Sequence, residues 1–291
     1  MKLEFYATKD DAGKSVKQII EQKFSLSSRT LSKLKRCGGI AVNDNNVTVR
    51  YILSENDTLS LTLSDVPSDN IEKVNIPIDV LYEDEDILVI NKPCGMPVHP
   101  SQGHHADTLA NAVMFRYRNS DFTFRAITRL DGDTTGVVLI ARNALSAQRL
   151  TDALQNGDII KEYAAVICGI PVHCKGEVNA PIARCEDSII KRKVSADGKS
   201  ALTRYEVEFS RADGLYSLVK VFPITGRTHQ IRLHMSHIGH PLYGDFLYGE
   251  PIDNVRAYLH CRALTITHPV TGQRMKFEAP LPYDMKEIMQ L

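Results

Sequence analysis

Six stretches of strand length carry apolar runs or apolar/polar alternation, and they come in neighbouring runs, without a helix between every pair. They are ILVINK (87–92), GVVLIAR (136–142), EYAAVICG (162–169), ALTRYEVEFS (201–210), YSLVKVFP (216–223) and MKFEAP (275–280). Strands that follow one another without crossover helices pair antiparallel. The chain is therefore expected to be α+β, with a mixed, mainly antiparallel sheet and flanking helices. Helical periodicity appears at ADTLANAVMFRYR (106–118) and ALSAQRLTDALQNG (144–157), with Gly157 where a left-handed C-cap belongs. A polar, Pro67-containing stretch at 64–76 reads as a linker. It divides a first unit, 1–63, from a second, 77–291.

The first unit reads as two small helices followed by a short β section. Val16, Ile19 and Ile20 recur at helical spacing after Gly13 and Ser15. A second helix within SLSSRTLSKLKRCGG is capped by Ser27 or Ser28, buries Leu31 and Leu34, and ends at Gly38-Gly39. Strands around IAVN and DTLSLTL follow, split by Asn43–Asn46. Formal net charge is zero, but its distribution is uneven. Between Lys23 and Arg36 stand five basic residues (Lys23, Arg29, Lys33, Lys35, Arg36) and no acid, whereas eight acids lie between Asp65 and Asp86. Phosphate affinity follows local potential, so Arg29, Lys33, Lys35 and Arg36 are candidate RNA contacts, or else a solvated face.

Hydrophobic residues make up 43% of the chain, enough for a substantial core, and no apolar run approaches the ~18 residues a membrane span requires. The first fourteen residues lack a secretory pattern, and a cytoplasmic protein is expected. The six cysteines (37, 94, 168, 174, 185, 261) form no CxxC pair and read as reduced, small apolar residues.

Three segments carry chemistry. In Thr128–Gly136 (TRLDGDTTG), the Asp131-Gly132 turn leads into an apolar strand, which holds a carboxylate firmly beside open space; Asp131 and Asp133 can equally cap a turn. In KEYAAVICG, Tyr163 shares a strand face with small Ala165, leaving room above its ring for a stacked base, or for a core tyrosine bonding locally. In Ile224–His234 (ITGRTHQIRLH), Ile231, Met235 and Ile238 mark a helix that Gly239 and Pro241 stop. Arg227 precedes it behind a glycine, where it suits gripping a carboxylate or phosphate. His229, His234, His237 and His240 are spaced five, three and three apart, matching no zinc motif; no metal is expected.

These segments, in this order, resemble the RluA-type family of pseudouridine synthases, whose signatures run close to HRLDxxTSG, KxYxAxVxG and GRTHQIRxH. NKPCGMPVHP (91–100) is similar to the family's NKPxGxxxHP, and HPLYGD (240–245) to its GxPxxGD. The likeness spans about Leu81 to Pro280. The first unit resembles an S4 RNA-binding domain, by pattern only. Thr128 stands where the family commonly has His, and Thr135 where it has Ser. The resemblance implies that a uridine in structured RNA is isomerised to pseudouridine, with ribosomal RNA favoured over transfer RNA. It makes Asp131 the catalytic carboxylate, paired with Arg227; Arg129 would fill the gap left by the extruded base, and Tyr163 would stack on the uracil. An isomerisation calls for no cofactor. No obligate protein partner and no membrane are implied. The alternatives are a catalytically silent RNA-binding protein on the same scaffold and a metal-assisted RNA hydrolase using the histidines.

Overall fold

A computed structural model describes residues 2–24, 28–62, 71–188 and 190–291, without the side chains at 28–30 and 33. The first unit opens on a strand absent from the sequence reading, β1 (Lys2–Tyr6). It pairs antiparallel with β4 (Thr58–Thr62), Lys2 opposite Thr62, in a four-stranded sheet completed by β2 (Ile40–Val42) and β3 (Asn45–Asn46) in the order β1-β4-β2-β3. Helix α1 (Val16–Ile19) begins at a reciprocal cap: Gln18 N–H donates to Ser15 Oγ, and the Gln18 side-chain oxygen accepts from Ser15 N–H. A π-helical turn (Ile20–Phe24) extends it, and α2 (Ser28–Arg36) follows. Ser27 and the side chains of Ser28, Arg29 and Lys33 lie outside the described residues; Lys35 and Arg36 are exposed. Val16, Ile19, Ile20, Leu34, Leu59 and Leu61 form the core, joined by Leu145 from the second unit.

Residues 64–70 of the expected linker, and residue 63 before it, lie outside the described residues. Its remainder has no regular structure but is anchored. Ile71 and Ile76 pack on the second core, and the Asn111 side chain donates to Glu72 O at 2.8 Å.

The second unit is a nine-stranded sheet in the order β5-β6-β7-β14-β8-β13-β12-β9, with β15 on the far half of β14. The strands are β5 (Asp79–Glu83), β6 (Ile87–Lys92), β7 (Thr135–Ala141), β8 (Ile160–Cys168), β9 (Lys175–Asn179), β12 (Leu202–Ser210), β13 (Tyr216–Pro223), β14 (Leu259–Thr267) and β15 (Arg274–Glu278). Strands β10 (Ile182–Arg184) and β11 (Arg192–Val194) form a separate antiparallel ribbon. Among the described residues every strand pairing is antiparallel except a short parallel contact between β7 and β14. The fold is thus α+β with a mixed, mainly antiparallel sheet. Both faces of β7 are buried, which is why it reads as a continuous apolar run.

Helices α3 (Leu109–Arg116), α4 (Ala144–Asn156), α5 (Gln230–His237) and α6 (Tyr283–Met289) flank the sheet. Gly157, at φ +80°, caps α4 as expected. The acidic run is used structurally. Asp84 accepts from the backbone of Asp86 and Ile87, and Asp86 accepts from Asn143 and Ser146 at the start of α4. Of the six cysteines only Cys261 is buried; Cys37, Cys94 and Cys174 are exposed, contrary to the small-apolar reading.

Candidate active site

The segment from Ile127 to Thr134 leads into β7 and is tied back onto it. Ile127 N–H donates to Leu139 O at 2.8 Å, and Leu139 N–H donates to the Thr128 hydroxyl at 3.0 Å. Thr128, which replaces the family's usual histidine, is thus a buried hydroxyl that holds the loop to the strand. A turn follows, closed by Thr134 N–H to Asp131 O. The loop is also held from below. Lys92, fully buried at the end of β6, donates from Nζ to the carbonyls of Pro93, Met96 and Gly132 at 2.8, 2.8 and 2.9 Å. Burial lowers this ammonium to about 8; three carbonyl dipoles replace the water it has lost. Lys92 therefore fixes the residue next to Asp131.

Asp131 is itself partly open, its side chain 36% exposed, and among the described residues nothing donates a hydrogen bond to its carboxylate. Two cationic or polar groups stand on one side of it. Arg232 Nη1 and His229 Nε2 each lie 3.8 Å from Oδ2, close enough for electrostatic support and too far to tie the oxygen down. Both come from one face of α5 and its N-cap, three residues apart. The Arg232 guanidinium is locked by a bidentate pair with the fully buried Asp245, at 2.7 and 2.6 Å, and lies over the rings of Phe246 and Tyr248. Asp245 is further fixed by the backbone N–H groups of Leu247 and Tyr248.

His229 adopts a left-handed backbone, φ +56°, uncommon for a side chain of its size. The Tyr248 hydroxyl accepts from Arg192 N–H and lies 2.9 Å from His229 Nδ1. Its own proton is then free for Nδ1, which assigns the ring proton to Nε2, facing Asp131. Burial lowers the His229 pKa, so the ring is neutral near pH 7.

A cavity of about 890 Å³ opens over this group. Arg129, Asp131, Tyr163 and Arg227, singled out from the sequence, all line it, together with Lys161, His229 and Arg232. Tyr163 is 9% exposed, and burial raises its phenol well above the usual range, with Cys261 and Asp131 adding to the effect. The hydroxyl stays protonated, so the ring offers a face and not a base. Arg129 and Arg227 are exposed at the cavity lip. The expected pairing of Arg227 with Asp131 is corrected here: Arg227 Nε donates to Ser200 O at 3.0 Å, and the guanidinium near Asp131 is that of Arg232. Buried Gln230 produces this arrangement by accepting from Arg227 N–H and donating to Leu202 O and Thr203 Oγ1, which turns Arg227 outward. Arg232, His229, Asp245 and Lys92 all lie inside motifs read from the sequence, but their roles were missed. The usable signal was the three-residue spacing that puts His229 and Arg232 on one helix face.

The histidines do not converge on a metal. His234 bonds Thr203 and Ala180 O, His240 bonds Cys168 O, and His229 is engaged with Tyr248. Among the described residues one cluster has metal-ligand spacing, Asp84, Asp86 and His268, away from the cavity. There His268 Nδ1 accepts from Val270 and Thr271 N–H, so Nε2 carries the proton and donates to Asp84. That ring has no lone pair left for an ion.

Residues 86–237, just over half of the chain, match the model of the RNA pseudouridylate synthase family. The chain belongs to that family, in its RluA-type branch, and is an isomerase acting on uridine in RNA. It is 40% identical over 270 residues to the RNA pseudouridine synthase YjbO of Bacillus subtilis, covering 91% of this chain and 95% of that protein. It is 39% identical over 236 residues to ribosomal large subunit pseudouridine synthase D of Pasteurella multocida, covering 75% and 72%. Among solved structures, human RNA pseudouridylate synthase domain containing 1 aligns with a TM-score of 0.60 at 26% identity, over 71% of this chain and 84% of that one.

Proposed function

We propose that this enzyme converts a specific uridine of large-subunit ribosomal RNA to pseudouridine, with Asp131 as its catalytic carboxylate. The observation that carries the residue roles is the shared cavity, in which Asp131 stands 3.8 Å from a guanidinium fixed by Asp245. A preorganised cation there orients the carboxylate toward the cavity without blocking its attack. Asp131 would take C1′ of the ribose, or assist loss of the C2′ proton, as the bond to N1 breaks. The uracil then turns and rejoins through C5. Tyr163 stacks on the extruded ring, and Arg129, exposed at the lip, occupies the space it left in the RNA. Arg227, also at the lip, meets the RNA backbone and not the carboxylate. The reaction rearranges bonds within one substrate and consumes no co-reactant. The first unit acts as an S4-like RNA-binding module through Lys35 and Arg36, with Arg29 and Lys33 on the same helix. The choice of ribosomal over transfer RNA is supported by the name of the Pasteurella relative. Free thiols suit the reducing cytoplasm, where we place the enzyme.

The test is pseudouridine mapping of ribosomal and transfer RNA from cells lacking the gene, complemented with wild type or Asp131→Asn. One large-subunit site is expected to vanish, to return with wild type and to stay absent with the variant, which should still bind RNA. A missing site in transfer RNA would overturn the substrate, and restoration by Asp131→Asn would overturn the residue assignment.

A further inference from the structure

Two residues before Tyr163 on β8, and on the same face of the strand, Lys161 lines the cavity. Its Nζ lies over Gly226, 3.6 Å from where a Cβ would stand on that residue. Among the described residues its ammonium makes no ion pair and no hydrogen bond. Neighbouring Glu162, on the opposite strand face, lies 3.9 Å from Arg262. The titratable group that bears on Lys161 is Cys261, whose thiol burial keeps protonated, pushed up to about 12. Burial lowers the Lys161 ammonium below its ordinary value. A half-buried cation without an anion is unfavourable in the empty protein, so its counter-charge is to be sought in the substrate.

We propose that Lys161 stabilises the uracil anion released when the N1–C1′ bond breaks. The inference rests on the reading of Tyr163 as the stacking face. Two residues along a strand span about 7 Å, so a ring stacked on Tyr163 brings its carbonyl edge within reach of the lysine. Heterolysis sends the N1–C1′ electron pair onto the ring, where it spreads over O2 and O4. C1′ is taken by the Asp131 carboxylate or relieved by loss of the C2′ proton. When C5 bonds to C1′, the ester to Asp131 breaks or C2′ regains the proton it lost, the C5 proton leaves and N1 gains one, so the balance closes within the substrate and the carboxylate. The charge on the oxygens peaks between these events, which is where an unpaired ammonium in a half-dry site acts most strongly.

The experiment uses an RNA that the wild-type chain modifies. Single-turnover rates, RNA affinity at several salt concentrations and thermal melting are measured for wild type, Lys161→Met, Lys161→Arg and Asp131→Asn. Lys161→Met is expected to slow the single turnover by about 100-fold, the scale expected when a charge-stabilising donor is removed. Its RNA affinity and salt slope stay unchanged, and its melting temperature is equal or higher because an uncompensated charge is gone. Lys161→Arg recovers part of the rate. On RNA containing 5-fluorouridine, whose fluorine already stabilises the departing anion, the deficit in bond cleavage shrinks. The proposal is overturned by a Lys161→Met rate within about threefold of wild type, by an equal deficit on both substrates, or by a weaker affinity with a flatter salt slope, which marks a phosphate contact. It is also overturned if Lys161→Arg is as slow as Lys161→Met. Retained activity in Asp131→Asn would overturn the reading of the whole site, whereas an inactive Asp131→Asn beside a fast Lys161→Met overturns this proposal alone.

Discussion

Arg232 is 3% exposed and Asp245 is completely buried, so each charge depends on the other for the solvation it has lost. Removing one partner of such a pair costs about 3–5 kcal/mol, because the survivor stays buried and uncompensated. Asp245→Ala is therefore expected to lower the unfolding free energy by that amount in a denaturant titration. Arg232→Lys keeps the charge but loses the planar fork that meets both Asp245 oxygens while offering Nη1 to Asp131. It should slow the single turnover by about 100-fold. Arg227→Ala, which removes an exposed side chain bonded to a carbonyl, should alter mainly KM. The opposite ranking of these two arginine variants would return the carboxylate's partner to Arg227. Their difference also shows what could be read from sequence at this scale. Turn chemistry and strand alternation left a capping carboxylate and a core tyrosine open; the ordered motifs, through their resemblance to one family, made Asp131 and Tyr163 legible as candidates. The partner of Asp131 was not, since two arginines of one motif compete for it. The choice is made by Gln230 and Asp245, whose hydrogen bonds exist only once the chain has folded.

Where β7 and β14 meet in parallel, Thr135 lies opposite His260 and Gly136 opposite Cys261. Gly136 has φ +108°, and a Cβ there would stand 2.2 Å from Cys261 O, so the approach that sets the loop carrying Asp131 depends on a glycine. Beside it, His260 Nε2 donates to Ala279 O at 3.3 Å and Nδ1 accepts from the Thr135 hydroxyl at 2.8 Å. Threonine in place of the family's serine thus keeps a hydroxyl that is in use. Burial pushes His260 down to about 4, against roughly 6.5 in an unfolded chain. The unfolded state then binds the extra proton between those values. The stabilisation is fully present above pH ~6.5 and is lost as pH falls toward 4, by up to about 3 kcal/mol. Melting temperature should decline over that window, and His260→Gln should flatten the decline. The flattening is partial, because burial also lowers His99, His229 and His234. An identical slope in the variant would refute the assignment. This junction also explains why β14 escaped the sequence reading: His260 and Arg262 interrupt its apolar pattern, although its neighbours bury it. Strand β1 escaped because KLEFY offers too few alternations to stand out. The six strands that did stand out owe it to uninterrupted runs, of which β7 is the clearest.

At the scale of the whole molecule, the two units share a boundary residue. Leu145, in the first turn of α4, is 2% exposed and packs in the core of the first unit. The same helix is anchored at its start by Asn143 and Ser146 to Asp86, at the end of the β5–β6 turn. The basic helix α2 packs its Leu34 into that shared core while Lys35 and Arg36 face solvent. Its charges are therefore carried on a body attached to the catalytic unit by side-chain packing as well as by the chain. An overall charge of zero hides this arrangement, because acids are placed elsewhere in the chain, Asp84 in a turn and Asp86 at the start of α4 among them. Double neutralisation, Lys35→Gln with Arg36→Gln, should weaken RNA binding without changing the saturated single-turnover rate. For each phosphate that the variant no longer neutralises, the slope of log affinity against log salt should fall by about 0.7–0.9. Affinity for unrelated RNA should fall in parallel, since binding to phosphates carries no sequence information. An unchanged slope would make α2 a solvated face, and the groups that hold the RNA would then have to lie around the cavity, on Arg129, Arg227 and the β10–β11 ribbon.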